Sequence, residues 1–163
     1  MQDYMQKKQT WWKDKPMSNT PENPEVSLNM QYIRDMSLEV PHAPEIFAKL
    51  STQPKINVDL NIDVNKLNEK NYEVTLNLRL NADIDDESLF IFELAYAAAC
   101  TVKLPEEQIE PVLFIEIPKL IFPYARQIIS SNLANAGLPP LMLTPIDFAA
   151  VYKKKKEQIV KPN

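Results

Sequence analysis

Few side chains in this sequence could perform acid–base, nucleophilic or metal chemistry. The chain has one histidine, His42, in a proline-flanked segment, and one cysteine, Cys100, which follows an apolar stretch. A nucleophile–base pair would need His42 beside a partner, and no spacing identifies one. Zinc needs several Cys, His or carboxylate ligands, and Cys100 has no such neighbours. We therefore predict no catalytic residue and no metal site, and we interpret Cys100 as a small buried hydrophobe.

The glycine content excludes the common nucleotide-binding loops. Gly137 is the only glycine, against 14 prolines. P-loops and Rossmann turns need several glycines so that the backbone can approach phosphate. A calcium loop also needs a glycine, so the acidic residues 85–87 are interpreted as a turn. The sequence thus predicts no cofactor, and these absences count against the enzyme hypothesis, which we keep as a third alternative.

Length and composition indicate one domain with a substantial core. The chain has 163 residues, of which 45% are hydrophobic, enough for a single domain. No apolar run reaches the ~18 residues that a membrane span needs, and no secretory signal is visible near Met1. A lone cysteine fits a reducing compartment. We therefore expect a cytoplasmic protein that does not insert into membranes.

The charge is unevenly distributed along the chain. Residues 30–110 have seven basic and fifteen acidic side chains, a net charge of −8, whereas residues 111–163 have a net charge of +4. An acidic middle segment repels nucleic acid and attracts basic partners. Acidic residues that simply keep a sheet soluble are the alternative explanation, and the sequence leaves it open.

Four segments have the alternation of half-buried strands. They cover residues 31–40, 55–64, 72–83 and 88–99, with Tyr32, Met36 and Leu38 predicted on one face of the first. Short connections between them predict an antiparallel meander with one wet and one covered face.

The C-terminal third is predicted to be helical. A long connection, residues 100–117, leads to a helix over residues 123–136, with Pro123 in its first position and Gly137 as its stop. Such long connections are usually functional or disordered, and apolar residues in its second half argue against disorder.

A second helix is expected to follow a stiff, extended Pro-Pro segment. Thr144 and Asp147 resemble a capping box, and the helix should dissolve into lysines 153–156. The predicted organisation is a disordered N-terminal arm over residues 1–29, a folded domain over 30–152 and a basic tail over 153–163.

Two motifs give the chain a family resemblance. The sequence LIFPYAR at residues 120–126 and the sequence PPLMLTPIDF at residues 139–148, in this order after four strands, resemble the SecB protein-export chaperones of bacteria. The resemblance covers roughly residues 30–152. It implies an α+β fold: a four-stranded antiparallel β-meander with two C-terminal helices packed on one face.

The resemblance also implies function. SecB proteins form homotetramers that are dimers of dimers, hold newly made preproteins unfolded without nucleotide, and deliver them to the SecA motor ATPase. SecA, whose C-terminal tail is basic, docks on the exposed sheet face. The SecA-binding positions implied for this chain are Asp35, Glu39, Ile91 and Glu93.

A holder of unfolded chains needs an apolar groove with modest affinity at each of many sites. Candidate lining residues of a client-binding groove are Tyr96, Val102, Leu113, Phe114, Ile115, Phe122, Leu141 and Leu143. Each could instead belong to the core or to a subunit interface. A SecB-like module dedicated to a single partner, such as an antitoxin, is the alternative function.

Overall fold

Four long strands form one sheet, and helices follow them in the chain. The computed structural model describes the backbone of residues 25–160 and the side chains of residues 25–157. The strands are β1 (Val26–Glu39), β2 (Lys55–Lys66), β3 (Asn71–Ile84) and β4 (Glu87–Val102), and a short 3-10 helix (Glu45–Lys49) lies between β1 and β2. The helices are α1 (Glu106–Pro111), a π-helical turn (Val112–Glu116), α2 (Ile117–Asn135) and α3 (Phe148–Val160).

The sheet is antiparallel throughout, in the order β1-β4-β3-β2. Strands β2, β3 and β4 form a meander through two tight turns, and β1 pairs with β4 on the far side. The connection from β1 to β2 therefore crosses the end of the sheet, where Ile46 of the 3-10 helix is buried. The predicted fold class, a four-stranded antiparallel sheet with two C-terminal helices, is confirmed, but the prediction that all four strands form a meander was wrong, because β1 pairs with β4 and not with β2.

The two sheet faces have opposite character. Residues paired across strands share a face, and Leu78 pairs with Leu94 as Leu80 does with Phe92. These four side chains are buried on the inner face, which packs against α2. The opposite, outer face carries the alternate side chains. The alternation predicted for β2 and β3 is confirmed. A strand that packs one face against the core has apolar residues at every second position.

The prediction for β1 was wrong in two respects. The strand begins at Val26, inside the stretch assigned to the arm, because Val26 and Leu28 pair with Val102 and Cys100. The pairing also shifts register between Ile33 and Asp35. A bulge moves later residues to the opposite face. Tyr32 therefore lies on the outer face, not with Met36 on the inner one. Residues 1–24 of the predicted arm lie outside the described residues.

The predicted long connection is mostly regular structure. Strand β4 continues to Val102, and the helical segment begins at Glu106, far before Pro123. Pro123 lies inside α2, so its predicted place at the first helical position was wrong. The N–H of Ile117 donates to the carbonyl of Val112, a bond across five residues. This π-helical turn joins α1 to α2 without a break.

The end of α2 is a glycine turn, as predicted. Gly137 has a φ of 78°, and the N–H of Leu138 donates to the carbonyl of Leu133 at 3.0 Å. This is the bond pattern of a Schellman end, which needs a left-handed residue.

The start of α3 differs from the prediction. Asp147 caps the helix, since its Oδ1 accepts the N–H of Ala150 at 3.0 Å, and Thr144 precedes the helix. The predicted capping role of Thr144 was wrong. The helix also continues through the lysines to Val160, because Lys155 and Lys156 pack against the preceding helical segment.

Candidate interaction surfaces

The four predicted SecA-binding residues lie together on the outer face. Glu39 pairs with Ile91 across β1 and β4, and Ser37 pairs with Glu93. Asp35, two residues before Ser37, pairs with Ala95. Direct cross-strand partners have Cβ atoms about 5 Å apart. We call Asp35, Glu39, Ile91 and Glu93 the acidic patch.

A shallow groove adjoins the acidic patch. Its volume is about 350 Å3, and its lining includes Asp35, Asp59, Arg79, Glu93 and Ala95. The small side chain of Ala95 forms its floor between the taller residues of β1 and β3. Carboxylates on both sides of a small apolar floor suit a partner that carries basic and flat apolar groups.

The charges of the acidic patch are only partly neutralised. Arg79 Nη1 lies 3.3 Å from Glu93 Oε1, with both side chains about half exposed, so the pair contributes little stability. Within residues 25–157, Asp35 and Glu39 make no ion pair. Their full charges remain available to a basic partner.

Glu73 forms a polar hub beside the patch that sequence reasoning missed. Its carboxylate accepts hydrogen bonds from the Tyr32 hydroxyl, from Arg34 at 3.0 Å and from Asn65 at 3.2 Å. The hydrogen bond from Tyr32 is the main cause that lowers the pKa of Glu73, and it raises the pKa of Tyr32. The hub links β1, β3 and β2, which holds β1 and its acidic residues in register.

No pattern along the chain could have identified this hub. Tyr32 and Glu73 are 41 residues apart, and they meet only because β1 pairs with β4 and not with β2. The bulge in β1 then places Tyr32 on the same face as Glu73.

The residues of the predicted client-binding groove do not share one environment. Five are buried within the single chain: Tyr96, Val102, Leu113, Phe122 and Leu143. Three are half-buried at the surface of the helical layer: Phe114, Ile115 and Leu141. In this conformation, a client could reach only the second group.

Phe114 owes its partial cover to α3. Its ring stacks on Tyr152 at 5.8 Å between centroids, and Lys155 Nζ lies over the same ring, 4.9 Å from its centroid. The same Nζ donates to the carbonyl of Ile62 at 2.9 Å. Helix α3 is thereby attached to the π-helical turn and to the β2 edge.

Other apolar side chains, which sequence reasoning did not single out, are exposed. Leu120 and Tyr124 lie one turn apart on α2 and are 56% and 55% exposed, and Ile33 on β1 is 45% exposed. Tyr96 connects the two elements: it pairs with Ile33, and its pKa is raised mainly by burial and further by the electrostatic effect of Tyr124. These residues form an exposed apolar strip of Ile33, Leu120 and Tyr124, which marks a contact surface.

The residues with potential for chemistry are not assembled into a site. Burial raises the pKa of the Cys100 thiol to about 11, so the thiol is protonated at neutral pH and a poor nucleophile. His42 lies exposed in the loop after β1. Among the described residues, no group of three or more His, Cys, Asp or Glu side chains could hold a metal ion. Nor is any described helix long and apolar enough to cross a membrane.

The family of the chain follows from sequence comparison. Residues 19–159 match the family model described as preprotein translocase subunit SecB. The protein-export protein SecB of Paramagnetospirillum magneticum is 44% identical over 137 residues, which cover 83% of this chain and 88% of the relative. The protein of the same name from Bartonella bacilliformis is 40% identical over 149 residues, covering 90% and 94%.

A solved structure supports the fold. A SecB-like chaperone of Mycobacterium tuberculosis, determined in complex with a peptide from the HigA1 antitoxin, superposes with a TM-score of 0.63. The match covers 75% of this chain and 91% of that one, at 15% identity, so it concerns the fold alone. The export proteins are far more similar in sequence, and a module dedicated to an antitoxin is not favoured. The chain therefore belongs to the SecB family, and its role is that of a chaperone in preprotein export.

Proposed function

We propose that this chaperone holds unfolded preproteins in the cytoplasm without nucleotide and delivers them to SecA through the acidic patch on its outer face. The observation that carries this proposal is the separation of two unlike surfaces. The acidic patch lies on the outer face, and the apolar strip lies at the helical side, whereas Phe114 borders a second cavity, of about 490 Å3, whose lining also includes Asp35. Client and motor could then bind at the same time.

The acidic patch suits the basic tail that the family resemblance assigns to SecA. Asp35 and Glu39 supply unpaired carboxylates, and Ile91 adds an apolar contact between Glu39 and Asn81 of the neighbouring strand. Charges at the rim of an interface mainly raise the association rate and set its salt dependence. Such a contact is reversible, as delivery requires.

Client holding is assigned to the apolar side chains that remain accessible. Phe114, Ile115 and Leu141 are half-buried, and the apolar strip lies on α2 and β1. Burial of about 200 Å2 of apolar surface would contribute about 5 kcal/mol, before the cost of ordering the client is subtracted. Repetition of such weak sites over several subunits would raise the overall affinity.

Assembly into a dimer of dimers fits the unpaired edge of β1. Within residues 25–160, this 14-residue strand has a partner on one side only, and Ile33 and Met36 are exposed along it. Edge strands with exposed apolar residues are usually covered. Some residues of the apolar strip would then serve as subunit contacts, and native mass measurement should give four chains.

Charge reversal tests the docking half of the proposal. Glu39→Lys and Glu93→Lys should each weaken SecA binding about tenfold at low salt, with a smaller effect at high salt. Glu107→Lys, an exposed reversal on α1, is the matched control and should bind SecA normally. Equal SecA affinity in all three variants would remove the acidic patch from the mechanism.

A further inference from the structure

The outer face of the sheet is open in the described part of the chain. Helix α2 packs against the inner face, and the helical layer meets the outer face at Phe114 and Lys155, which line a second cavity together with Asp35 and Ala95. The groove of about 350 Å3 beside Asp35, Asp59 and Glu93 is exposed. A partner that covers this negatively charged face must itself carry basic groups.

The chain itself contains a segment of matching chemistry. Residues 7–15 read KKQTWWKDK, with four lysines, one aspartate and the only two tryptophans of the protein. The lysines complement the carboxylates around the groove. The flat indole rings suit the shallow floor at Ala95, because Trp combines a large apolar surface with an N–H donor. These residues lie outside the described range.

The length of chain outside the structure permits the contact. Eleven residues separate Lys15 from Val26, the start of β1, and can span at most about 36 Å. Asp35 lies nine residues along β1, about 30 Å from Val26. The segment can therefore turn back over the sheet of its own chain. A link of this length also gives an effective concentration in the millimolar range, so even a millimolar affinity would keep the face about half occupied.

We propose that residues 7–15 dock on the outer face of their own chain, with lysines against Asp35, Asp59 and Glu93 and the tryptophans over Ala95. The docked segment covers the acidic patch, so a basic partner must displace it. That consequence for SecA rests on the proposed function, whereas the docking itself does not.

Tryptophan fluorescence tests the docking directly, since Trp11 and Trp12 are the only tryptophans in the full chain. At low salt, their emission should be blue-shifted and protected from acrylamide. About 1 M salt, at which the Debye length is about 3 Å, should shift the emission to the red and remove the protection. Asp35→Lys with Glu93→Lys should do the same at low salt, and Glu107→Lys should not.

A charge swap provides the decisive control. Lys13→Glu with Lys15→Glu should release the tryptophans, and combination with Asp35→Lys and Glu93→Lys should restore their blue shift and protection. Solvent-exposed emission in the unaltered full chain at low salt would overturn the proposal. So would a blue shift that neither salt nor the face variants change, because it would place the tryptophans on an apolar surface.

Measurements of SecA binding distinguish this inference from the proposed function. If docking is correct, the Lys13→Glu, Lys15→Glu variant should bind SecA more tightly than the unaltered chain. If fluorescence supports docking but no variant binds SecA, the proposed function fails and the docking stands.

Discussion

The single glycine offers a sharp test of how the helical layer is built. Gly137 has a φ of 78°, a region that residues with a Cβ enter at a cost of about 1–2 kcal/mol. A Cβ at this position would lie 3.9 Å from Phe47 Cζ, an ordinary van der Waals distance. The cost of Gly137→Ala is therefore conformational and not steric. We expect a loss of about 1–2 kcal/mol of unfolding free energy.

Urea unfolding of the full chain at fixed protein concentration measures this loss, because assembly makes stability depend on concentration. Gly137→Asn is the matched variant: it adds a larger side chain but tolerates the left-handed region, so it should lose less than Gly137→Ala. A loss above about 4 kcal/mol, or an Asn variant worse than the Ala variant, would show that steric conflict dominates and would refute the reasoning.

Three further predictions concern the core, the polar hub and the cysteine. Leu133 is fully buried, so Leu133→Ala should cost about 2–5 kcal/mol in urea unfolding; a cost below 1 kcal/mol would mean that α2 does not pack on the sheet as described. The Tyr32 hydrogen bond lowers the pKa of Glu73 below its ordinary 4.5, so this stabilisation is present above pH 4.5 and lost as the pH falls through the lower folded-state pKa. Tyr32→Phe should therefore cost about 1 kcal/mol near pH 7 and less in acid, and a pH-independent difference would contradict the hub. Burial raises the pKa of Cys100 to about 11, so a thiol reagent should label it at the rate of unfolding; rapid labelling of the native protein would place it at the surface.

Sequence alone identified the strands of the sheet, because apolar and polar residues alternate along a strand that has one covered face. Leu76, Leu78 and Leu80 in β3 are buried, as is Ile62 of β2, which pairs with Leu76, whereas Val58 near the start of β2 is 42% exposed. The helix stop at Gly137 was equally accessible, since only glycine takes a positive φ without cost. The strands and the end of α2 could therefore be predicted from local sequence patterns.

The remaining features depend on contacts between distant residues. The bulge after Ile33 and the Tyr32–Glu73 hydrogen bond arise from pairing across the sheet, which no local pattern encodes. The start of the helical segment at Glu106 was missed because Pro123 was assigned the first helical position, whereas it lies inside α2. Pro111 also lies inside the helical segment, directly before the π-helical turn, where the hydrogen-bond spacing already departs from that of an α-helix.

The candidate surfaces divide in the same way. The family resemblance implied the residues of the acidic patch, and strand alternation adds that Asp35 and Glu39 share one face, to which pairing adds Glu93. The client-binding surface could not be placed, because apolar character does not reveal which side chains the fold covers. Val102 and Leu113 are buried while Leu120 and Tyr124 are exposed, although all four are apolar.

The most direct test of the account is whether the purified full chain, without nucleotide, keeps an unfolded precursor from aggregating. Light scattering after dilution of a denatured precursor should rise much more slowly when the chaperone is present in stoichiometric amounts. The Glu39→Lys and Glu93→Lys variants should protect equally well, because the acidic patch lies away from the apolar strip. Scattering that rises as fast with the chaperone as without it would contradict the central claim.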